Sequence, residues 1–265
     1  MRLLNRTTHS LSLTPEGDRL LRVGQKLLAD LEEAESVFAD VGQQGSTGRV
    51  RISAPPAFAK ICIMPRLPDF LLANPGIDIE LDFTNDFVNI AERGIDVALG
   101  SGDVAGLPGH YARKLCTFPW VACASPDYFR KHGTPRTPAD LGSHALIGFR
   151  NPVSGQLDSW RFRDPVDGTT IRHSPRPRHT FDDPEAAWQM IRAGFGIAYG
   201  PAWMALPDWE QGTLVEALRD WRSEEVPLYA VRLDKRLTPN RVQLVQEFLV
   251  ELTRAWHESF SASSR

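Results

Sequence analysis

The chain has 265 residues, and 30 Lys and Arg against 33 Asp and Glu give a net charge of −3. That balance excludes a uniformly basic nucleic-acid coat or an acidic tail protein as a description of the whole. With 42% hydrophobic and 24% charged residues the chain can bury a sizeable core, enough for one or two domains, and 20 Gly with 20 Pro point to many short elements joined by turns.

Residues 1–17 hold no apolar stretch of signal-peptide length, and no run of about 18 apolar residues occurs, which argues against secretion and membrane spanning. Cys62, Cys116 and Cys123 are odd in number and lack C-x-x-C spacing. A disulfide framework or zinc ribbon is therefore not expected, and a reducing cytoplasm fits.

Residues 1–14 carry Arg2, Arg6 and His9 without an acid, whereas 31–48 carry Glu32, Glu33, Glu35 and Asp40 without a base. Only the leading residues suit an anion. Thr14-Pro15-Glu16 reads as a helix start, with Thr14 as N-cap and Pro15 at the first helical position. Leu20, Leu27, Ala34 and Val41 then recur every seven residues, with Gly24, Leu31 and Phe38 in the second seam. A helix of roughly 30 residues, about 45 Å long, would be cut off by the linker at 42–48. Packing against a partner chain suits it better than packing on its own domain, so a dimer is expected.

Beyond the linker, Val50 and Ile52 lead a strand that ends at Ser53-Ala54-Pro55-Pro56, followed by a helical stretch to Ala73, interrupted at Pro65 and Pro68. Ile77, Ile79, Leu81 and Phe83 alternate with Asp78, Glu80 and Asp82, the pattern of a half-solvated edge strand. Thr84-Asn85-Asp86 would cap a short helix to Arg93, and Ile95–Leu99 is the next strand. This βαβαβ run implies a parallel sheet. Residues 126–182 are rich in Pro, Gly and Arg, with strand-like pieces at 145–149, 159–162 and 169–172. Asp183-Pro184-Glu185 starts a helix, 195–199 and 226–232 read as strands, and a last helix begins at Thr238-Pro239. Two α/β lobes joined by crossings near 125 and 227 are the simplest arrangement.

No nucleophile elbow, HExxH or P-loop motif is present, and the seven His residues never fall at metal-ligand spacing. No metal or cofactor site is expected. Asp182-Asp183 reads as a helix cap before Pro184 rather than half of a paired-carboxylate site, and nothing asks for an enzyme. Three places suit a ligand, since open α/β folds bind beyond the carboxyl ends of strands. Around Ser53, Pro55 and Pro56, the amides of Ala57, Phe58 and Ala59 are unpaired donors, for a small anion or for water. Thr84 can cap a helix and still donate its proton. Gly100-Ser101-Gly102 admits a ligand or simply a turn.

Residues 2–17, RLLNRTTHSLSLTPEG, resemble the wing and linker-helix start of LysR-type transcriptional regulators. Segments 48–55, 64–67, 93–99, 124–128 and 193–198 fit the family's effector domain, so the resemblance covers essentially the whole chain. It implies a two-lobed α/β effector domain like type 2 periplasmic binding proteins, preceded by a remnant DNA-binding wing and a long dimerisation helix. The expected divisions are 1–14 for the wing, 15–48 for linker helix and hinge, 49–125 plus 227–265 for lobe one, and 126–226 for lobe two. It implies dimers or tetramers, operator DNA as partner, and a small-molecule effector in an interlobe cleft; the donor-rich start of the first helix suggests that this effector is a small anion such as a carboxylate. Effector contacts would fall at Ser53, Pro55, Pro56, Thr84, Gly100 and Ser101, with Phe149, Phe181 and Ile197 from the other lobe. DNA contacts would fall at Arg2, Arg6, Thr7, Thr8 and His9. Family members carry a recognition helix before the wing, and Met1 stands where the wing begins. Phosphate contacts position a protein without specifying sequence, so these 265 residues are expected to bind DNA with little or no sequence specificity. The function implied is that of a DNA-binding transcriptional regulator whose effector changes oligomer geometry on DNA; the alternative is a cytoplasmic small-molecule sensor that has lost specific DNA binding through N-terminal truncation.

Overall fold

The computed structural model describes residues 2–6, 11–21, 23, 24, 27, 31, 46–85, 90, 91, 93–101, 108–152, 154–233 and 238–262. They form two compact units, one of residues 1–115 with 229–252, the other of 116–228 with 253–265.

In the first unit, β1 (Leu4–Arg6) and β2 (Leu11–Leu13) make an antiparallel hairpin with Leu4 opposite Leu13. Thr14 joins it to helix α1, which begins at residue 15. The Thr14 hydroxyl donates to the Arg2 carbonyl at 2.7 Å and accepts from the Gly17 amide at 3.0 Å, so the N-cap also pins the hairpin. A Cβ at Gly17 would stand 1.9 Å from the Leu3 carbonyl oxygen, which makes glycine necessary for this close approach. Leu20, Leu27 and Leu31 are 50%, 64% and 59% exposed within this chain. The other large members of the seam, Phe38 and Val41, lie outside the described residues.

The main sheet of this unit has the order β4 (Ile77–Phe83), β3 (Gly48–Ala54), β5 (Val97–Ser101), β14 (Val226–Leu233), β6 (His110–Phe118). β3 runs parallel to both β4 and β5, and β4 is an edge strand, as its alternation implies. Val50, Ile52, Val97, Leu99 and Val231 are buried on the sheet, and Val242, Val245 and Leu249 of α7 (Asn240–Ala262) are buried with them. The helical stretch after β3 is broken as its prolines require. α2 (Pro56–Phe58) runs into a π turn, Ala59–Ile63, in which the Met64 amide donates to the Ala59 carbonyl, and α3 (Leu67–Ala73) restarts with Pro68 in its first turn. Most of the short helix expected at 84–93 lies outside the described residues.

In the second unit, β7 (Trp120–Ala124) pairs antiparallel with β12 (Ala198–Pro201) on one side and β13 (Val215–Ala217) on the other. β8 (Ile147–Phe149) and β11 (His179–Phe181) are parallel, and β9 (Trp160–Arg163) with β10 (Thr170–His173) is an antiparallel hairpin. Helices α4 (Pro126–His132), α5 (Pro184–Arg192) and α6 (Ala202–Gln211) complete it. Tyr128, Phe129, Leu141, Trp160, Phe162, Ile197 and Tyr199 form its core, with Trp160 and Tyr199 stacked at 5.4 Å. β7 pairs inside this unit and groups with residues 116–228. The strand expected at 195–199 starts later, at Ala198. Gly196 has φ +152° and packs so tightly that a Cβ would meet the Ala145 carbonyl oxygen at 2.4 Å.

Candidate functional site

The first-unit candidates come together at one sheet edge. Ser53 sits opposite Asp82 of β4 and Ala98 of β5, and Ala54 sits opposite Phe83. The Thr84 amide donates to the Ala54 carbonyl at 2.9 Å, which places Thr84 beside Pro55. Gly100 and Ser101 are the last residues of β5, beyond Ala98. Ser53, Pro55, Pro56, Thr84, Gly100 and Ser101 therefore line the carboxyl ends of three adjacent parallel strands, where an open α/β sheet offers its ligand crevice. Ser53 is buried, Pro55, Pro56 and Thr84 are half-buried, and Ser101 is exposed.

The amide donors after Pro55 are fewer than the sequence implied. The Ala59 amide donates to the Pro55 carbonyl at 2.9 Å and closes the first turn, so it is not available to a ligand. No acid lies in the first turn of α2, and Ala57 and Phe58 are buried. Nearby carboxylates have partners: Asp82 pairs with Arg93 at 3.0 Å and Glu80 with Arg51 at 3.0 Å, while Asp96 accepts from the main-chain amide of Arg51 at 2.9 Å. With those acids engaged, the positive end of the helix dipole is not cancelled at this edge.

In the second unit, Phe149 and Phe181 are register partners at the ends of the parallel pair β8–β11, each half-buried. The Arg150 amide donates to the Phe181 carbonyl at 2.7 Å, and the Asp158 amide to the Phe149 carbonyl at 3.0 Å. Ile197 stands apart from that pair. Its side chain is wholly buried in the aromatic core, its amide donates to Ala145 and its carbonyl accepts from Ile147. Asp183 caps α5, its Oδ1 accepting from the Ala186 amide at 2.8 Å, which assigns that carboxylate a structural task.

At the leading end, the Arg2 Nε donates to the Leu4 carbonyl at 3.0 Å, and Arg6 lies in β1 opposite Leu11. Thr7, Thr8 and His9 lie outside the described residues. Among the described residues no group of three His, Cys, Asp or Glu is placed to hold a metal ion, and no helix is long and apolar enough to cross a membrane.

Sequence reasoning missed a pocket of about 590 Å³ inside the second unit, lined by residues that include Trp120, Arg161, Phe162, Arg172, Tyr199 and Glu224. Its one visible trace is the alternation of Arg with aromatic residues along Trp160-Arg161-Phe162-Arg163.

The LysR substrate binding domain family matches residues 43–254. An uncharacterized HTH-type transcriptional regulator of Escherichia coli K12, YhjC, is 32% identical over 264 residues, covering 96% of this chain and 84% of that protein. The HTH-type transcriptional regulator CrgA of Neisseria meningitidis serogroup C is 30% identical over 250 residues, covering 94% of this chain and 81% of that one. The solved structure of CrgA aligns with a TM-score of 0.69 at 29% identity, covering 95% of this chain and 83% of that chain. The full-length Vibrio cholerae virulence activator AphB aligns with a TM-score of 0.67 at 29% identity, covering 95% and 84%. Residues 43–254 are a LysR substrate binding domain, and the chain belongs to the LysR family of HTH-type transcriptional regulators.

Proposed function

We propose that this LysR-family regulator responds to a small organic carboxylate held at the carboxyl edge of β4, β3 and β5. The convergence of Ser53, Thr84 and Ser101 on that edge, ahead of a helix without an acid in its first turn, carries the reading. Hydroxyls at Ser53, Thr84 and Ser101 supply donors that can turn to meet carboxylate oxygens. Gly100 has no Cβ to obstruct approach, and Pro55 and Pro56 fix the backbone that presents the helix start. Phe149 and Phe181 are the second unit's candidates for apolar contact. Ile197, whose carbonyl accepts from the Ile147 amide, supports β8, the strand carrying Phe149, from within the core.

The reading further assigns the β1–β2 hairpin, through Arg2 and Arg6, to phosphates of operator DNA, and the exposed leucines of α1 to a second copy of the chain. It assigns no catalysis, and the buried free thiols of Cys62, Cys116 and Cys123 suit a reducing cytoplasm. An effector shifts such a regulator only by its preference for one arrangement, typically about 1–3 kcal/mol.

A thermal-shift screen of the chain against aromatic and aliphatic carboxylates tests the site. A carboxylate that raises the melting temperature, and loses most of that effect in Thr84→Val and Ser53→Ala, is the expected result. Stabilisation that survives both substitutions would remove the site from this edge.

A further inference from the structure

The pocket in the second unit shares no lining residue with the carboxyl-edge candidates. Its volume, about 590 Å³, lies in the range of small-molecule sites. Its floor is aromatic. Trp120 and Tyr199 lie with ring centroids 5.5 Å apart, and Phe162 is 5.3 Å from Tyr199. The Tyr199 ring is tethered by its hydroxyl, which donates to the Arg161 carbonyl, and the backbone at Trp120 is tied to Ser223 Oγ through its main-chain amide at 2.9 Å.

One wall is the β9–β10 hairpin. Arg161 and Arg172 are direct register partners on these antiparallel strands, so both side chains leave the same face, and both line the pocket. Like charges placed directly opposite one another destabilise a sheet. Among the described residues neither guanidinium makes an ion pair or a hydrogen bond; the Asp158 carboxylate, also in the lining, is close enough to Arg161 to attract it, and Arg172 has no such neighbour among the pocket's lining residues. An anion seated between them would be gripped by two forks of donors. The segment 223–227 supplies another wall, where Glu224 is exposed and Glu225 accepts from the Thr117 hydroxyl. The pocket thus carries both signs of charge around an aromatic floor: Asp158 attracts Arg161 short of a direct ion pair, and Glu224 makes no ion pair with either arginine.

We propose that this pocket is a second ligand site, for a small ring-bearing zwitterion whose carboxylate is held by Arg161 and Arg172, whose ring lies on Trp120 and Tyr199, and whose ammonium group is held at Glu224. The inference does not depend on the carboxyl-edge reading. Phe149, whose carbonyl accepts from the amide of pocket residue Asp158, links the pocket to β8.

Calorimetric titration of the full chain with 3-(aminomethyl)benzoate, and with benzoate and benzylamine as its two halves, tests the assignment. The zwitterion should bind saturably and at least tenfold more tightly than either half. Arg161→Gln and Arg172→Gln should each weaken it at least tenfold, Glu224→Gln should abolish its advantage over benzoate, and Thr84→Val should leave it unchanged. Without ligand, Arg172→Gln should keep or raise the melting temperature, because it removes repulsion. A lowered melting temperature would make the arginine pair structural and overturn the proposal. So would absence of saturable binding at millimolar zwitterion, retention of affinity in the arginine variants, or a loss in Thr84→Val instead.

Discussion

Arg192 holds Asp208 through two parallel hydrogen bonds, Nε to Oδ1 and Nη2 to Oδ2, each 2.7 Å long. The carboxylate is buried at 5% side-chain exposure, and the Thr213 hydroxyl donates to the same Oδ1 at 2.6 Å. Arg192 ends α5 and Asp208 lies in α6, so this fork ties together the helices on either side of β12. Arg192→Ala would leave the carboxylate with Thr213 and no cation. Its side chain is 38% exposed, so the expected loss is about 2 kcal/mol, below the roughly 3–5 kcal/mol typical when one partner of a fully buried pair is removed. Urea denaturation measures it, and a loss within experimental error would contradict the assignment.

Two histidines of the second unit predict sensitivity to acid. Burial lowers the pKa of His173 from its ordinary 6.5, and its Nε2 is buried without a hydrogen-bond partner. Burial also lowers that of His144, reinforced by His132 and opposed by Asp140. Tyr128 accepts from the Ala145 amide at 2.9 Å, which leaves its hydroxyl proton for His144 Nδ1 at 3.2 Å; this assigns neutral His144 the Nε2–H tautomer. As pH falls below about 6.5, the unfolded chain takes up protons that the folded unit does not, so stability falls with pH in that window. The melting temperature should drop between pH 7 and pH 5, and His173→Gln should flatten the slope. An unchanged slope in that variant would exclude His173 as a source.

The junction of hairpin and helix depends on one hydroxyl. Thr14→Ala removes both the cap to the Gly17 amide and the bond to the Arg2 carbonyl, a loss of about 1 kcal/mol for the cap alone. Hydrogen exchange at residues 2–5 and 16–18 should accelerate about fivefold or more in Thr14→Ala and stay near wild type in Thr14→Ser. Equal protection in both variants would show that the hairpin is held by other contacts.

The exposed leucines of α1 should be covered by a second copy. Leu27→Asp places a charge in the seam beside Leu20 and Leu31, and should shift sedimentation from dimer toward monomer at micromolar concentration. A dimer that persists unchanged would place self-association elsewhere.

Much of this arrangement was legible where a local rule fixed the outcome. Thr14 and Asp183 announced themselves as caps by standing before proline, and the strict alternation over Ile77–Phe83 marked an edge strand. The carboxyl-edge group could be named because three strands with short crossovers must end together. α6 gave no such signal: it has no side-chain cap, and Pro207 lies in its interior. Nor is the Ala59 amide a free donor: with Pro55 as N-cap it is the fourth helical amide, and it closes the first ordinary turn on the Pro55 carbonyl. Ile197 reads as a site residue by resemblance, but Gly196 turns it into the core. The second-unit pocket was hidden because Trp120, Arg161, Arg172, Tyr199 and Glu224 come from distant segments that only the pairing of β7, β9, β10 and β12 brings together.

Amide chemical-shift mapping with the stabilising carboxylate tests the central claim most directly. Addition should perturb the amides of Ala57, Thr84 and Ser101 in saturable fashion, with a dissociation constant that rises about tenfold, or 1.4 kcal/mol, in Thr84→Val. Saturable perturbations confined to residues away from the ends of β3, β4 and β5 would contradict the account.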